Sequence, residues 1–101
     1  MATETYVTEI KDNDFLRQFE CVVDREKATI EYALQERKIF LTKLNAPEAL
    51  QNEDFKNEFV MKVLAHVQQR KLRVVPTSPF IAKFFKQRRE YREMLSVGIK
   101  L

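Results

Sequence analysis

From Gln18 the chain alternates between apolar and polar positions. Phe19, Cys21 and Val23 share one face, and Gln18, Glu20 and Val22 share the other. A period of two with aromatic and β-branched residues predicts a strand. Asp24-Arg25-Glu26-Lys27 is a polar break and predicts a turn. Ala28, Ile30, Tyr32 and Leu34 then alternate with Thr29, Glu31 and Ala33, which predicts a second strand. After the break at Gln35-Glu36-Arg37, the run Lys38-Ile39-Phe40-Leu41-Thr42 predicts a third strand, more apolar and therefore central. The three form an antiparallel meander. Upstream, Tyr6, Val7 and Ile10 suit a short edge strand, and residues 1–16 read as a peripheral segment.

The period changes after Ala46-Pro47-Glu48-Ala49-Leu50. Phe55, Phe59, Val60, Val63, Leu64 and Val67 recur at helical spacing and predict an amphipathic helix over about 53–70. Asn52 suits its N-cap, and Glu53 and Asp54 suit its first turn, where the helix dipole favours negative charge. Leu72-Arg73-Val74-Val75 is a short strand-like run, predicted over about 71–75 and stopped by Pro76. Thr77-Ser78-Pro79 predicts a turn. A second helix is expected from Pro79, with Phe80, Ile81, Phe84, Phe85, Tyr91 and Leu95 on its buried stripe. The whole is an α+β fold, helices packed on a mostly antiparallel sheet.

The chain has 101 residues, 45% of them apolar and 33% charged, which suits one globular domain over residues 1–101. A single Gly, at Gly98, excludes a glycine-rich phosphate loop before it. One Cys and one His exclude a disulfide framework and a His- or Cys-based metal cluster, so no metal is expected. Cys21 falls on an apolar face and reads as a small buried hydrophobe. His66 lies on the flank of the first helix's stripe, a partly exposed helix position. No apolar run approaches the ~20 residues of a membrane span, and the start lacks a signal-peptide pattern, so the cytoplasm is the expected compartment.

The net charge of +3 hides an asymmetry. Residues 1–69 carry 9 Lys/Arg against 13 Asp/Glu; residues 70–101 carry 9 against 2. Such a basic end suits a solvated helix face or an anionic partner. Its candidates for the partner are Arg70, Lys71, Arg73, Lys83, Lys86, Arg88, Arg89 and Arg92. Phe84 and Phe85 have core spacing rather than that of a stacking platform, so no sequence-specific nucleic-acid binding is expected.

Several segments in fixed order resemble the small, single-domain branch of the GNAT acyl-CoA N-acyltransferases. They are Arg17-Gln18-Phe19-Glu20 with Val23-Asp24, Glu31-Tyr32, Ile39-Phe40-Leu41-Thr42 and Pro47-Glu48-Ala49-Leu50. Lys71-Leu72-Arg73-Val74-Val75-Pro76, Ser78-Pro79-Phe80 and Arg89-Glu90-Tyr91 complete the set. The resemblance covers residues 17–95 and implies a GNAT-like fold with two main helices and a split between two parallel strands. It further implies acetyl transfer from acetyl-CoA to an amine. In that family the pantetheine arm pairs with the strand before the Pro-Glu-Ala-Leu segment. The pyrophosphate rests on a glycine-rich loop that opens the following helix, where backbone N–H groups and the dipole meet the anion.

At these positions the sequence departs from the family. Carried over, the cofactor positions are Leu44, Asn45 and Ala46 on the strand end and Gln51, Asn52, Glu53, Asp54, Phe55 and Lys56 on the loop. The family pattern there is Arg-Gly-x-Gly-x-Gly; here Gln51 replaces the arginine, and Asn52, Asp54 and Lys56 replace the glycines. Two further positions are catalytic by resemblance. Lys43-Leu44 stands where His-Thr is common, and Ser78 stands where Cys is common. An isolated Ser needs a partnered base to act as a nucleophile, and reads as a turn residue. Weak or lost acetyl transfer is therefore expected. The alternatives are a non-catalytic module binding a protein partner or ligand on the same fold, or a binder of anionic partners.

Overall fold

The computed structural model describes residues 9–99. The elements run β1 (Lys11–Asn13), β2 (Gln18–Val23), β3 (Glu26–Gln35), β4 (Lys38–Asn45), α1 (Glu53–Gln69), β5 (Arg73–Pro76) and α2 (Pro79–Gln87). Short 3-10 turns occupy Glu48–Leu50 and Arg89–Met94. The strands form one sheet in chain order, antiparallel from β1 to β4, with β5 parallel to β4.

Tight turns set the register. Asp24 and Arg25 both adopt positive φ (50° and 71°), the geometry of a two-residue hairpin whose twist suits its flanking strands. The turn is therefore only two residues long, and Glu26 and Lys27, expected in it, are the first residues of β3. Phe19 pairs with Ile30 and Cys21 with Ala28, which places the apolar alternation of both strands on one face. Tyr32 pairs with Leu41, Leu41 with Pro76, and Ile39 with Val74, continuing that face across the sheet.

A single buried cluster joins this face to Phe55, Phe59, Val60, Val63, Leu64 and Val67 of α1 and to Ile81, Phe84 and Phe85 of α2. The opposite face presents Glu20, Glu31, Ala33, Phe40 and Val75; Phe40 and Val75 do not pack against the cluster. α1 closes at its C-terminus without glycine. Lys71 takes φ 59°, Leu72 N donates to Val67 O at 3.3 Å and Lys71 N to Gln68 O at 3.0 Å, the paired bonds that satisfy end-of-helix carbonyls.

Three expectations change. The expected edge strand drew on Tyr6 and Val7, which lie outside the described residues; the observed edge strand is β1, just after Ile10. β4, expected to end near Leu44, runs to Asn45 through an unexpected bulge, where Tyr32 pairs with Leu41 and Glu31 with Lys43. The Thr42 hydroxyl donates to Glu31 O at 3.1 Å at that irregularity. Finally, α2 does not run on to Leu95. Arg88 leaves helical geometry at φ −129°, ψ 90°, and its guanidinium stacks over the Phe84 ring at 4.4 Å. Arg92 then folds back, donating from Nε to Phe85 O at 3.4 Å and from Nη2 to Lys86 O at 3.3 Å. Those carbonyls belong to the helix end, where cations are favoured. Tyr91 still reaches Phe84, ring to ring at 5.2 Å, so the apolar stripe survives the break.

Candidate functional site

β4 and β5 separate after Leu41. Their register covers Lys38–Leu41 against Arg73–Pro76 and ends there. The Leu41 carbonyl accepts the N–H groups of Thr77 and Ser78 at 3.1 and 2.9 Å, and the Thr77 hydroxyl at 3.2 Å. β5 thus turns into α2 while β4 continues to Asn45 with β3 alone beside it. This is a split between parallel strands, with the starts of α1 and α2 at its mouth.

Leu44 points to the core side and packs against the buried cluster. Lys43 is exposed and faces Glu31 in the register. The Asn45 amide donates to the Glu31 carboxylate at 2.8 Å and to the Thr29 hydroxyl at 3.1 Å, which fixes the last residue of β4. Ala46 offers its carbonyl to the Gln51 side-chain amide, so the loop closes on itself.

Asn52 caps α1. Its backbone is extended and its Oδ1 accepts the Phe55 N–H at 2.7 Å, a contact of the kind worth about 1 kcal/mol. Glu53 and Asp54 occupy the first turn, both exposed. Lys83 Nζ lies 4.0 Å from Glu53. Phe55 is fully buried and cannot face a ligand. Lys56 Nζ sits 4.8 Å above the Phe80 ring and 3.5 Å from Gln51 Oε1, tying the start of α1 to the start of α2.

Ser78 is 2% exposed and stands at the N-cap of α2 without a side-chain capping bond. Its carbonyl accepts from Ala82 N at 2.9 Å. It is a helix-start residue rather than an open turn. No hydrogen bond or ion pair joins it to Lys43 among the described residues. His66 belongs to another constellation: its Nε2 lies 3.6 Å from Asp12 Oδ2. Asp12 also accepts from Tyr32 Oη at 2.6 Å and from Arg70 Nη1 at 3.1 Å. Burial pushes the Tyr32 phenol up to about 12, with the Asp12 hydrogen bond adding to it. This latch between β1, β3 and α1 spans up to 58 positions in sequence, and no local pattern announces it. Burial also raises the Cys21 thiol, which disfavours its reactive thiolate form.

The split leaves the β4 edge past Leu41 without β5 beside it, and the start of α1 carries side chains and two acids where the family pattern has glycine. A pyrophosphate needs close backbone and free N–H groups. Here the Phe55 N–H is spent on Asn52, side chains stand at each position where the family pattern has glycine, and two carboxylates face outward. The basic end is likewise largely engaged within the molecule. Arg70 meets Asp12, Arg73 donates to Glu93 O, and Lys83 meets Glu53. Arg88 stacks on Phe84 and Arg92 binds helix carbonyls, as above. Lys71, Lys86 and Arg89 remain exposed without a side-chain partner among the described residues.

No group of three or more His, Cys, Asp or Glu is arranged to hold a metal among the described residues. No helix among them is long and apolar enough to cross a membrane. No curated protein matches the chain. The sequence profile described as GCN5-related N-acetyl-transferase matches residues 18–94, from the first residue of β2 to the end of the last 3-10 turn. With that match over most of its length, and with a five-stranded mixed sheet and helices to go with it, the chain belongs to the GCN5-related N-acetyltransferase family.

Proposed function

We propose that this chain keeps the acetyltransferase framework with a degenerate acetyl-CoA loop, and that acetyl transfer to an amine is weak or lost. The observation that carries this reading is the Asn52 cap. Its Oδ1 takes the Phe55 N–H at 2.7 Å, one of the few backbone donors this helix start would offer a bound phosphate. Glu53 and Asp54 oppose an anion there. At ~4 Å a unit charge interacts with another by about 1 kcal/mol in water and about 4 kcal/mol at an effective dielectric of 20. Both carboxylates are exposed, so the lower figure applies.

The catalytic positions support the same reading. Among the described residues no base is hydrogen-bonded to Ser78, and His66 lies at Asp12 instead. Calorimetric titration with acetyl-CoA tests the proposal. The expected result is no saturable heat below ~100 µM ligand, a free energy weaker than about −5.5 kcal/mol. Sub-micromolar binding overturns it.

A second reading has an observation of its own. Among the described residues, one sheet face carries no helix and ends in the edge of β4 past Leu41 that β5 does not cover, which suits a non-catalytic module binding a protein partner or ligand. Sequence-specific nucleic-acid binding is not part of either reading, because most basic side chains of the C-terminal third are held within the molecule. The cytoplasm is the proposed compartment.

A further inference from the structure

β4 runs to Asn45, but β5 accompanies it only to Leu41. The edge at 42–45 spans about 13 Å at roughly 3.3 Å per residue. An edge of this length takes about two to four main-chain hydrogen bonds from an extended chain. Two kinds of molecule present amides at suitable spacing: the pantetheine arm of a coenzyme, and a peptide.

The charges beyond the edge decide between them. Glu48, Glu53 and Asp54 are exposed around the loop that β4 runs into. The nearby cations are committed: Lys83 to Glu53 at 4.0 Å, and Lys56 above Phe80 at 4.8 Å. Among the described residues, no cation lies within ion-pair distance of Glu48 or Asp54. On the open face beside the edge, the Glu31 carboxylate is held in place by Asn45 at 2.8 Å. Lys43, on the edge itself, faces Glu31 in the register. A phosphate arriving at the end of β4 meets carboxylates; an ammonium or guanidinium meets its counter-charge.

We propose that the edge of β4 at 42–45 binds an extended, basic peptide segment of a partner protein by strand addition. The proposal rests on the reading that the pyrophosphate subsite is lost. The main chain supplies the hydrogen bonds, and a basic residue at the end nearest α1 meets Glu48 and Asp54. Strand alternation places the peptide's neighbouring side chains beside Leu44 on the core side and beside Lys43 and Asn45 on the open face.

The test is an amide NMR titration of the whole chain with an end-blocked peptide of three Thr-Lys repeats, at about 50 mM salt so that exposed charges are only partly screened. Two control peptides carry Glu in place of Lys, or Pro in place of Thr. The expected result is shifts centred on residues 42–45. The Glu peptide, which lacks the counter-charge, and the Pro peptide, which lacks half the donors, should bind at least ~10-fold more weakly. The double variant E48Q/D54N should bind the Lys peptide about 3- to 10-fold more weakly. Shifts elsewhere, or equal binding of the Pro peptide, overturn the proposal. Acetyl-CoA is titrated in parallel. Sub-micromolar binding of acetyl-CoA overturns the underlying reading of the loop, whereas silence from both ligands overturns the peptide proposal alone.

Discussion

Asn52→Gly, Asp54→Gly and Lys56→Gly made together exchange helix stability for anion space. The Asn52 cap contact at 2.7 Å costs only a few tenths of a kcal/mol when glycine replaces the asparagine, because glycine also suits an N-cap. Asp54→Gly gives up about 0.3–1 kcal/mol of favourable dipole interaction and a few tenths of propensity. Lys56→Gly loses about 0.7 kcal/mol of propensity, and its contact over Phe80 at 4.8 Å is worth about 0.5–1 kcal/mol. The sum is about 2–3 kcal/mol, or a melting temperature lower by about 10–20 °C for a domain of this size. In return, one opposing carboxylate disappears, about 1 kcal/mol for an exposed charge, and the Phe55 N–H is released, about 1 kcal/mol when it finds a phosphate oxygen. Loss of the Lys56 cation offsets the removed carboxylate, so acetyl-CoA affinity should rise by about fivefold, the share of the released N–H. Urea unfolding and calorimetry on the same preparation read both quantities. A variant that loses the stability but gains no affinity shows that the defect lies outside the loop. A variant that keeps its stability shows that the Asp54 dipole interaction and the Lys56 contact are unimportant.

Asp12→Ala removes the acceptor shared by Tyr32 at 2.6 Å and Arg70 at 3.1 Å; unfolding should become easier by about 2–3 kcal/mol, with Arg70 contributing little because it is partly exposed, and a loss below about 0.5 kcal/mol would remove the latch from the account. The Tyr32 phenol is raised from 10.0 to about 12, so the folded state holds this proton more tightly than the unfolded chain. Its contribution is complete below pH 10.0 and is lost as pH rises toward about 12; Tyr32→Phe should flatten that fall in stability, read by denaturation across the alkaline range. Glu20 shifts the other way: the Gln18 side-chain amide at 2.7 Å, with Asn13 and Lys27, lowers its carboxyl against the opposing effect of burial. Its contribution is present above the usual carboxylate range and is lost as pH falls through the lowered value, so Glu20→Gln should blunt acid destabilisation. Binding of the basic end to DNA should be weak and fall steeply with salt in fluorescence anisotropy; tight binding at physiological salt, lost on charge reversal of Lys86 and Arg89, would contradict this.

The meander was readable because period two and turn residues agree: Phe19, Cys21, Ala28 and Ile30 show their buried face in the sequence itself. The parallel β5 was readable from its short apolar run beside Pro76. Two features were hidden. The bulge of β4 against Glu31 leaves no mark in the alternation, and polar Lys43 and Asn45 give no strand signal of their own. The break in α2 depends on Arg88 stacking on Phe84 and Arg92 reaching back to helix carbonyls, whereas the apolar stripe from Phe84 to Tyr91 reads as one helix. At the site, the loop residues 51–56 were legible by type, and Asn52 was legible as a cap. The Gln51 closure onto Ala46 and the Asp12 latch were not, because each joins residues with no shared local pattern.

On the proposed function, the strand split suits pantetheine while the helix start rejects the pyrophosphate. The most direct measurement compares the affinity of acetyl-CoA with that of S-acetylpantetheine, which lacks the nucleotide and both phosphates, in one calorimetric series. The account predicts that acetyl-CoA binds no more tightly than acetylpantetheine, and more weakly still at low salt, where the carboxylates of Glu53 and Asp54 are least screened. Acetyl-CoA binding about 100-fold tighter, equivalent to about 2.7 kcal/mol gained from the nucleotide half, would contradict it.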